Sequence, residues 1–428
     1  MRYYALIAGG GTAGHALPAL RLAEELGRRK STMKIGLIGG RRGLERKVWS
    51  SAAFDTYYLP GRGIPRVAGR SSLASVIKYP LEMAYFGIDL LAALLQSIKL
   101  MVVNRPYAVV VFGGYSAIAP ALAGVSLRVP LVVVNVDAIA GRSNRVLSYF
   151  ARAVAVAWPG TGLAREQVTG MPVSSGIIEA GIARRTIIGR PSEEDYLPIG
   201  EDRQGMMKNL EEAEKLRHSA RDALGIPEGR TVVIAVGGSL GARRLNELVM
   251  EVSSMWTDRD DLAVYHIVGE RFLQEAAGYA ERLGLPCSAG SRAGSEDGGR
   301  IYYRQVGYEP RMDRAYLAAD FVICRAGAVT VGELSVAAVP ALLIPLPGAP
   351  SRHQEANAAI LTSMGAAIML EEKDITVARL GEVLKDIVDN RSRLEKMSAA
   401  YPDLDNGYGT SNLADLVERC TEKNDRHL

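Results

Sequence analysis

Apolar residues along this chain gather in short unbroken runs rather than in alternation. Tyr3–Ala8, Ile35–Ile38, Val109–Phe112, Leu131–Val136 and Ala153–Ala157 are almost wholly apolar. Thr231–Val236, Val264–Val268, Phe321–Cys324 and Ala341–Ile344 read the same way in the second half. Runs of this length without polar alternation predict strands covered by helices on both faces, as in a parallel sheet. Stretches of helical period separate them, such as Leu17, Leu20, Ala23 and Leu26 after the first run. Strand and helix in alternation predict an α/β protein with one doubly wound sheet in each half. Between the halves, Arg184–Arg230 is rich in Arg, Glu, Asp and Lys and carries Pro191, Pro198 and Pro227. Glu201–Leu224 within it reads as a solvated helix, and Ser288–Arg300 as a surface loop. The expected divisions are 1–172, a linker with a charged insertion at 173–230, a second domain at 231–400, and a C-terminal helix at 401–428 that returns toward the first domain.

Composition narrows the classes. The 428 residues are 48% hydrophobic and 23% charged, ample for large cores and too apolar for disorder. The formal charge of +4 argues against a dedicated nucleic-acid binder. Cys287, Cys324 and Cys420 are widely spaced without a CxxC, which sets aside a disulfide framework or structural zinc. Tyr3–Ala8 runs straight into Gly9-Gly10-Gly11 and reads as a first strand rather than a signal peptide. Leu81–Val103 is strongly apolar, but Glu82, Asp89 and Lys99 make it a poor expected membrane span. The expectation is therefore a cytoplasmic protein.

Glycine supplies 45 residues, above the roughly 7% that is usual, and the excess is clustered. Gly9-Gly10-Gly11-Thr12-Ala13-Gly14-His15, Gly113-Gly114-Tyr115-Ser116 and Gly237-Gly238-Ser239-Leu240-Gly241-Ala242 each follow an apolar run and open a helical pattern. A glycine turn into a helix N-terminus offers free N–H groups and a positive dipole end to a phosphate. Gly9, Gly11 and Gly14 match GxGxxG spacing, but no acidic residue follows about 20 positions on, and none of the turns is GxxxxGK[ST]. A fourth word, Cys324-Arg325-Ala326-Gly327-Ala328-Val329-Thr330, opens a helix in which Glu333 could accept both hydroxyls of a ribose. His353, Gln354 and Asn357 follow a proline-rich loop and suit sugar hydroxyls, which need paired donors and acceptors. For each of these, a tight connection, a solvated carboxylate or a helix cap remains the plainer alternative.

Those words, in that order, with Ile139-Ala140-Gly141, Asn144 and Ala356-Asn357-Ala358, resemble the MurG family of GT-B glycosyltransferases. The resemblance covers about residues 3–172 and 231–415. It implies two Rossmann-like doubly wound parallel-sheet domains facing a cleft. It also implies inverting transfer of N-acetylglucosamine from UDP-N-acetylglucosamine to the 4-hydroxyl of an undecaprenyl-linked N-acetylmuramoyl-pentapeptide, in peptidoglycan synthesis. By resemblance, Gly238, Ser239, Leu240 and Gly241 hold the donor diphosphate, Ala328, Val329 and Thr330 line phosphate and sugar, and Glu333 takes the ribose. Gln354, His353 and Asn357 read the amino sugar. Gly11, Thr12, Ala13, Gly14, Gly114, Tyr115, Ser116 and Ser174 face the acceptor. His15 is the candidate base, with Asp137 as the alternative. No DxD-like carboxylate pair is present, so no metal or other cofactor is expected beyond the donor substrate.

The chain departs from the family on the acceptor side. Val134-Asn135-Val136-Asp137-Ala138 stands where the family has a His-Glu-Gln-Asn word, and Ser174 where it has an Arg after Gly-Asn-Pro-Val. A relative with another lipid-linked acceptor, a non-catalytic UDP-sugar-binding scaffold at the membrane and a non-hydrolysing UDP-sugar epimerase are the competing readings. Arg62, Arg66, Arg70, Lys78, Lys99 and Arg105 interleave with Leu73, Val76, Ile77, Leu81, Tyr85 and Phe86. That mixture suits peripheral docking on the anionic cytoplasmic face of the cell membrane.

Overall fold

The computed structural model describes residues 2–61, 73–189, 201–238, 241–285, 300–348, 352–402 and 408–425. They form two units, Met1–Val173 with Asp405–Leu428, and Ser174–Leu404. In the first unit, β1 (Tyr3–Ala8), α1 (Ala13–Arg29), β2 (Lys34–Gly40), α2 (Glu45–Val48) and β3 (Asp55–Leu59) build one wing of a sheet. The other wing comprises α3 (Leu73–Asn104), β4 (Ala108–Val111), α4 (Tyr115–Ser126), β5 (Leu131–Asn135), α5 (Arg142–Leu147), β6 (Ala153–Val156) and β7 (Glu166–Val168). The second unit opens with α6 (Ser175–Ile188) and α7 (Glu201–Ala223), then β8 (Thr231–Val236), α8 (Arg243–Ser254), β9 (Leu262–Ile267), α9 (Leu273–Arg282) and β10 (Tyr302–Val306). It continues through α10 (Met312–Ala318), β11 (Phe321–Cys324), α11 (Ala328–Ala337), β12 (Ala341–Leu343), α12 (His353–Ser363), β13 (Ala367–Met369), α13 (Val377–Val388) and α14 (Arg391–Ala399). The last helix, α15 (Gly409–Asp425), belongs to the first unit.

The sheets run β3-β2-β1-β4-β5-β6-β7 and β10-β9-β8-β11-β12-β13, with every pair parallel. The chain starts each sheet in the middle, winds outward, then crosses back to β4 or β11. The switch points of the two sheets therefore lie between β1 and β4 and between β8 and β11. Each predicted apolar run is a strand of this core, within a residue or two at either end.

The helix expected over Glu201–Leu224 is present as α7, and most of its described positions face solvent. The linker expectation is corrected: α6 and α7 belong to the second unit, with Leu210, Ala213 and Ala220 of α7 buried. Their arginines explain the charge. Arg184 is fully buried and donates to the carbonyls of Tyr316 (3.2 Å), Ala319 and Ala338 (3.3 Å), the C-terminal ends of α10 and α11. Arg185 donates to the Val336 carbonyl at 2.6 Å and the Ser335 carbonyl at 3.2 Å. Arg217 and Arg221 pair with Asp320, whose Oδ2 also accepts the Val232 N–H at 2.8 Å. Burial pushes the Asp320 carboxyl up, but the two guanidinium groups more than offset this and hold it below its ordinary value. Terminal carbonyls of a helix have no intrahelical donor, and guanidinium groups supply one.

The helix α15 completes the first unit, with Tyr4 and Thr421 hydroxyls 2.9 Å apart and the Thr410 hydroxyl donating to the Val173 carbonyl at 2.8 Å. The span expectation for α3 also changes. Leu81–Asn104 is long and apolar enough to cross a membrane by length and composition, and 17% of its most apolar window is buried. Ala93, Ser97 and Met101 pack inward, while Leu81, Tyr85, Ile88, Leu91 and Leu95 form an exposed stripe on the opposite side. The side chains of Leu73, Val76, Ile77 and Lys78, residues Arg62, Arg66 and Arg70, and most of Ser288–Arg300 lie outside the described residues.

Candidate functional site

All four glycine-containing words fall at carboxyl ends of the strands that flank a switch point. Gly9–Gly14 follows β1 and Gly113–Ser116 follows β4; Gly237–Ala242 follows β8 and Arg325–Thr330 follows β11. In open parallel sheets that is where a crevice forms and ligands bind.

In the first unit the two loops touch. A Cβ on Gly114 (φ 77°) would lie 2.6 Å from the Gly10 carbonyl oxygen and 3.5 Å from His15 Nδ1. Much of the glycine content is therefore demanded by protein–protein contact rather than by an anion alone. Thr12 precedes α1, and its Oγ1 lies 3.4 Å from His15 Nδ1. Ala13 and Gly14 form the first turn. Tyr115 covers the glycines of neighbouring strand ends: Cβ atoms on Gly40 and Gly11 would meet its ring or hydroxyl at 2.6 and 3.2 Å. Burial, and then the Glu45 carboxylate, push its phenol up, so it stays neutral. Ser116 is buried, and its Oγ has no hydrogen-bond partner among the described residues.

Glu45 was not visible as a site residue. It is fully buried, and its carboxylate accepts the N–H of Gly11 at 3.0 Å and of Gly40 at 2.6 Å. The crowding of Gly39, Gly40 and Gly43 was the available signal, since a Cβ on Gly39 or Gly43 would strike this side chain. The departure at 134–138 also has a structural consequence. Asn144 Nδ2 donates to the Val134 carbonyl (3.0 Å) and to Asn135 Oδ1 (3.1 Å), and Asn135 Nδ2 donates to the Asp137 carbonyl (2.7 Å). Asn135 thus points inward, and Asp137 is held by its backbone with a half-buried side chain. Ser174 opens α6 in the second unit, its carbonyl accepting the Ile177 N–H at 3.0 Å.

In the second unit, Gly241 (φ 69°) donates its N–H to the Gly238 carbonyl at 2.9 Å and abuts Gly269. A Cβ on Gly238 (φ 83°) would meet no atom of the described residues within 4 Å. Ser239 and Leu240 lie outside the described residues. A buried chain of hydrogen bonds supports the loop after β9. Asn246 Nδ2 donates to the Val268 carbonyl at 2.8 Å, which leaves Asn246 Oδ1 to accept from His266 Nε2 at 3.2 Å. The other ring nitrogen then accepts the Tyr303 hydroxyl at 2.8 Å, and that oxygen accepts from Gln305 Nε2 at 2.9 Å. Burial drives His266 down to about 3, so it is neutral.

The helix α11 begins at Gly327, and the N–H groups of Ala328, Val329 and Thr330 precede its first internal bonds. Glu333 accepts the hydroxyl of Tyr316 at 3.1 Å. Burial, and then Glu333 itself, keep that phenol well above its usual pKa, so it is a neutral donor. Arg325 ties the loop after β12 to β11 by donating to the carbonyls of Ile344 (3.2 Å) and Pro345 (3.3 Å), and it pairs with Glu372. Gln354 Oε1 accepts the Leu346 N–H at 2.8 Å, and His353 starts α12. Asn357 is fully buried and donates to the Ala326 carbonyl at 3.2 Å, which braces the β11 end. Among the described residues no group of three His, Cys, Asp or Glu could hold a metal ion.

Comparison with known proteins agrees with this division. Residues 5–156 match the glycosyltransferase family 28 N-terminal domain and residues 231–419 its C-terminal domain. The chain is 33% identical over 425 residues to the UDP-N-acetylglucosamine–N-acetylmuramyl-(pentapeptide) pyrophosphoryl-undecaprenol N-acetylglucosamine transferase of Anaeromyxobacter sp. (strain Fw109-5), covering 97% of this chain and 92% of the relative. The enzyme of the same name from Alkalilimnicola ehrlichii is 32% identical over 419 residues, covering 98% of each chain. The crystal structure of Acinetobacter baumannii MurG superposes with a TM-score of 0.65 at 23% identity, covering 98% of this chain and 100% of that one, which is a likeness of fold. With two parallel-sheet units, glycine loops at both switch points and relatives of this similarity over nearly its whole length, the chain belongs to the MurG family within glycosyltransferase family 28.

Proposed function

We propose that this protein transfers N-acetylglucosamine from UDP-N-acetylglucosamine to the 4-hydroxyl of undecaprenyl-linked N-acetylmuramoyl-pentapeptide, with inversion, as a peripheral enzyme on the cytoplasmic face of the cell membrane. The observation that carries the reading is the placement of all four family words at the carboxyl ends of switch-point strands. In the second unit, the starts of α8 and α11 flank one switch point. Their free N–H groups and dipoles suit a diphosphate whose charge grows as UDP leaves. The backbone at Gly238 and the turn Ala328–Thr330 would take that diphosphate, with Ser239 and Leu240 completing the loop. Glu333, oriented by Tyr316, would accept the ribose hydroxyls, and Gln354 with His353 would read the sugar. In the first unit, Gly11–Gly14, Gly114, Tyr115 and the hydroxyl of Ser116, which has no partner among the described residues, would meet the acceptor, and Ser174 is a further candidate contact. His15, or Asp137 in its place, would take the proton from the attacking hydroxyl. The apolar stripe on α3, with Lys99 and Arg105 beside it, supports docking on an anionic leaflet.

The inward turn of Asn135 favours one second reading, a different lipid-linked acceptor, because the family's His-Glu pair is absent from that loop. The test is to supply radiolabelled UDP-N-acetylglucosamine with lipid-linked N-acetylmuramoyl-pentapeptide and to follow label into the lipid fraction. Label in the lipid, lost in His15→Ala, is expected. Tight UDP-N-acetylglucosamine binding with no label transferred would reject this acceptor.

A further inference from the structure

An arginine stands one to three residues before each of five adjacent strands in the first unit. Arg2 precedes β1, Arg105 precedes β4, Arg128 precedes β5, Arg152 precedes β6 and Arg165 precedes β7. These residues are scattered over the sequence, and only the strand order lines them up. They edge the sheet at its amino ends, opposite the glycine loops, and strands of three to six residues, about 10–20 Å long, separate the two edges.

Three of these arginines converge on one concavity. Arg128, Arg152 and Arg165 line an open pocket of about 460 Å³ together with Pro130, Leu131 and Phe150. None of the three guanidinium groups has a carboxylate partner among the described residues. The neighbouring Glu166 carboxylate is turned away, taking the Gly160 N–H at 2.8 Å and the Thr161 hydroxyl at 2.6 Å. The backbone adds an independent observation. Arg128 (φ 55°) and Arg165 (φ 58°) adopt the left-handed conformation, which glycine takes at least cost. Arg128 ends α4 in a Schellman turn, its N–H bonding the Val125 carbonyl (3.1 Å) while Val129 N–H bonds that of Gly124 (2.8 Å). Backbone economy favours glycine at that position, yet a long cation stands there.

We propose that Arg128, Arg152 and Arg165 form a phosphate-binding site separate from the switch-point loops. Planar guanidinium forks gathered around one concavity match the oxygens of a phosphate group, free or carried on a lipid headgroup. The exposed Tyr149 and Phe150 beside the rim would seat the glycerol end of a lipid.

Phenylglyoxal modification of the whole protein, read by peptide mass spectrometry, tests the site arginine by arginine. With millimolar inorganic pyrophosphate, modification of Arg128, Arg152 and Arg165 slows at least fivefold, while the exposed Arg391 of the second unit reacts at its usual rate. Protection by phosphatidylglycerol vesicles but not by phosphatidylcholine vesicles assigns the phosphate to a lipid; protection by pyrophosphate alone assigns it to a free ligand. A triple variant, R128G/R152Q/R165G, separates ligand binding from helix capping. Glycine relieves both left-handed positions, so the variant melts no lower than wild type. With the donor site filled by UDP, it loses one calorimetric pyrophosphate site. Equal modification rates with and without either probe, equal slowing at Arg391, or an unchanged site count in the variant would overturn the proposal.

Discussion

Lowering the pH should loosen the second unit through His266. The ring sits in a chain in which Nε2 donates to Asn246 and Nδ1 accepts from Tyr303, so a second ring proton would have to displace the hydroxyl proton that Tyr303 directs at Nδ1. Burial holds the pKa near 3, against 6.5 for the exposed ring. An unfolded chain takes up a proton as pH drops below 6.5, whereas the folded unit refuses it until about 3. Stability is therefore fully present above 6.5 and is lost progressively down to 3. The unfolded ring is half protonated at pH 6.5, so the loss between pH 6.5 and pH 4.5 is about 2.3 kcal/mol, its slope rising toward about 1.4 kcal/mol per pH unit. Hydrogen-exchange mass spectrometry on peptides from β9 and β10 gives the opening free energy at each pH. In His266→Phe the opening energy starts lower, since Asn246 Oδ1 and the Tyr303 hydroxyl lose a partner at about 1–3 kcal/mol each. Its dependence on pH over this range is expected to be flat. A wild-type opening energy that does not change between pH 7 and pH 5, or the same slope in His266→Phe, refutes the reasoning.

Three further outcomes are expected. Glu45→Gln keeps the shape but sets an amide N–H against a backbone N–H, losing one charge-assisted bond worth about 1.5–3 kcal/mol; the first unit's thermal transition should fall by about 3–12 °C in calorimetry. Arg184→Met leaves buried carbonyls of Tyr316, Ala319 and Ala338 without a donor, so urea unfolding of the second unit should show a loss of about 3–5 kcal/mol, with the first unit's transition unmoved. Tyr316→Phe removes the hydrogen bond that orients the Glu333 carboxylate, and the KM for UDP-N-acetylglucosamine should rise about three- to tenfold with kcat within twofold, as measured in the transfer assay.

The strands that the apolar pattern missed are β3, β7, β10 and β13, the edges of the two sheets. Their sequences, such as Asp55-Thr-Tyr-Tyr-Leu59 and Tyr302-Tyr-Arg-Gln-Val306, carry polar residues because an edge strand is paired on one side only. The central strands were legible because burial on both faces permits no polar alternation. The same logic explains the charged segment 174–223, where composition alone suggested solvent exposure. Guanidinium groups can be buried when helix ends supply carbonyl partners, and those partners lie more than a hundred residues away in the chain. Glu45 was hidden for a related reason: the neighbouring glycines Gly39, Gly40 and Gly43 hint at crowding, but nothing local says that Gly11, 34 residues earlier, will also donate to it.

Sequence alone determined the α/β class, the order of the central strands along the chain and the four words that end them, because local burial and backbone geometry write themselves into nearby residues. It did not determine which strands would be neighbours. The crossovers that set β4 beside β1 and β11 beside β8 brought the paired loops together, left Asn357 as a brace and lined up arginines at 2, 105, 128, 152 and 165. Adjacency in a sheet is set by long-range pairing and packing, and residues so far apart carry no mutual signal until the chain has folded.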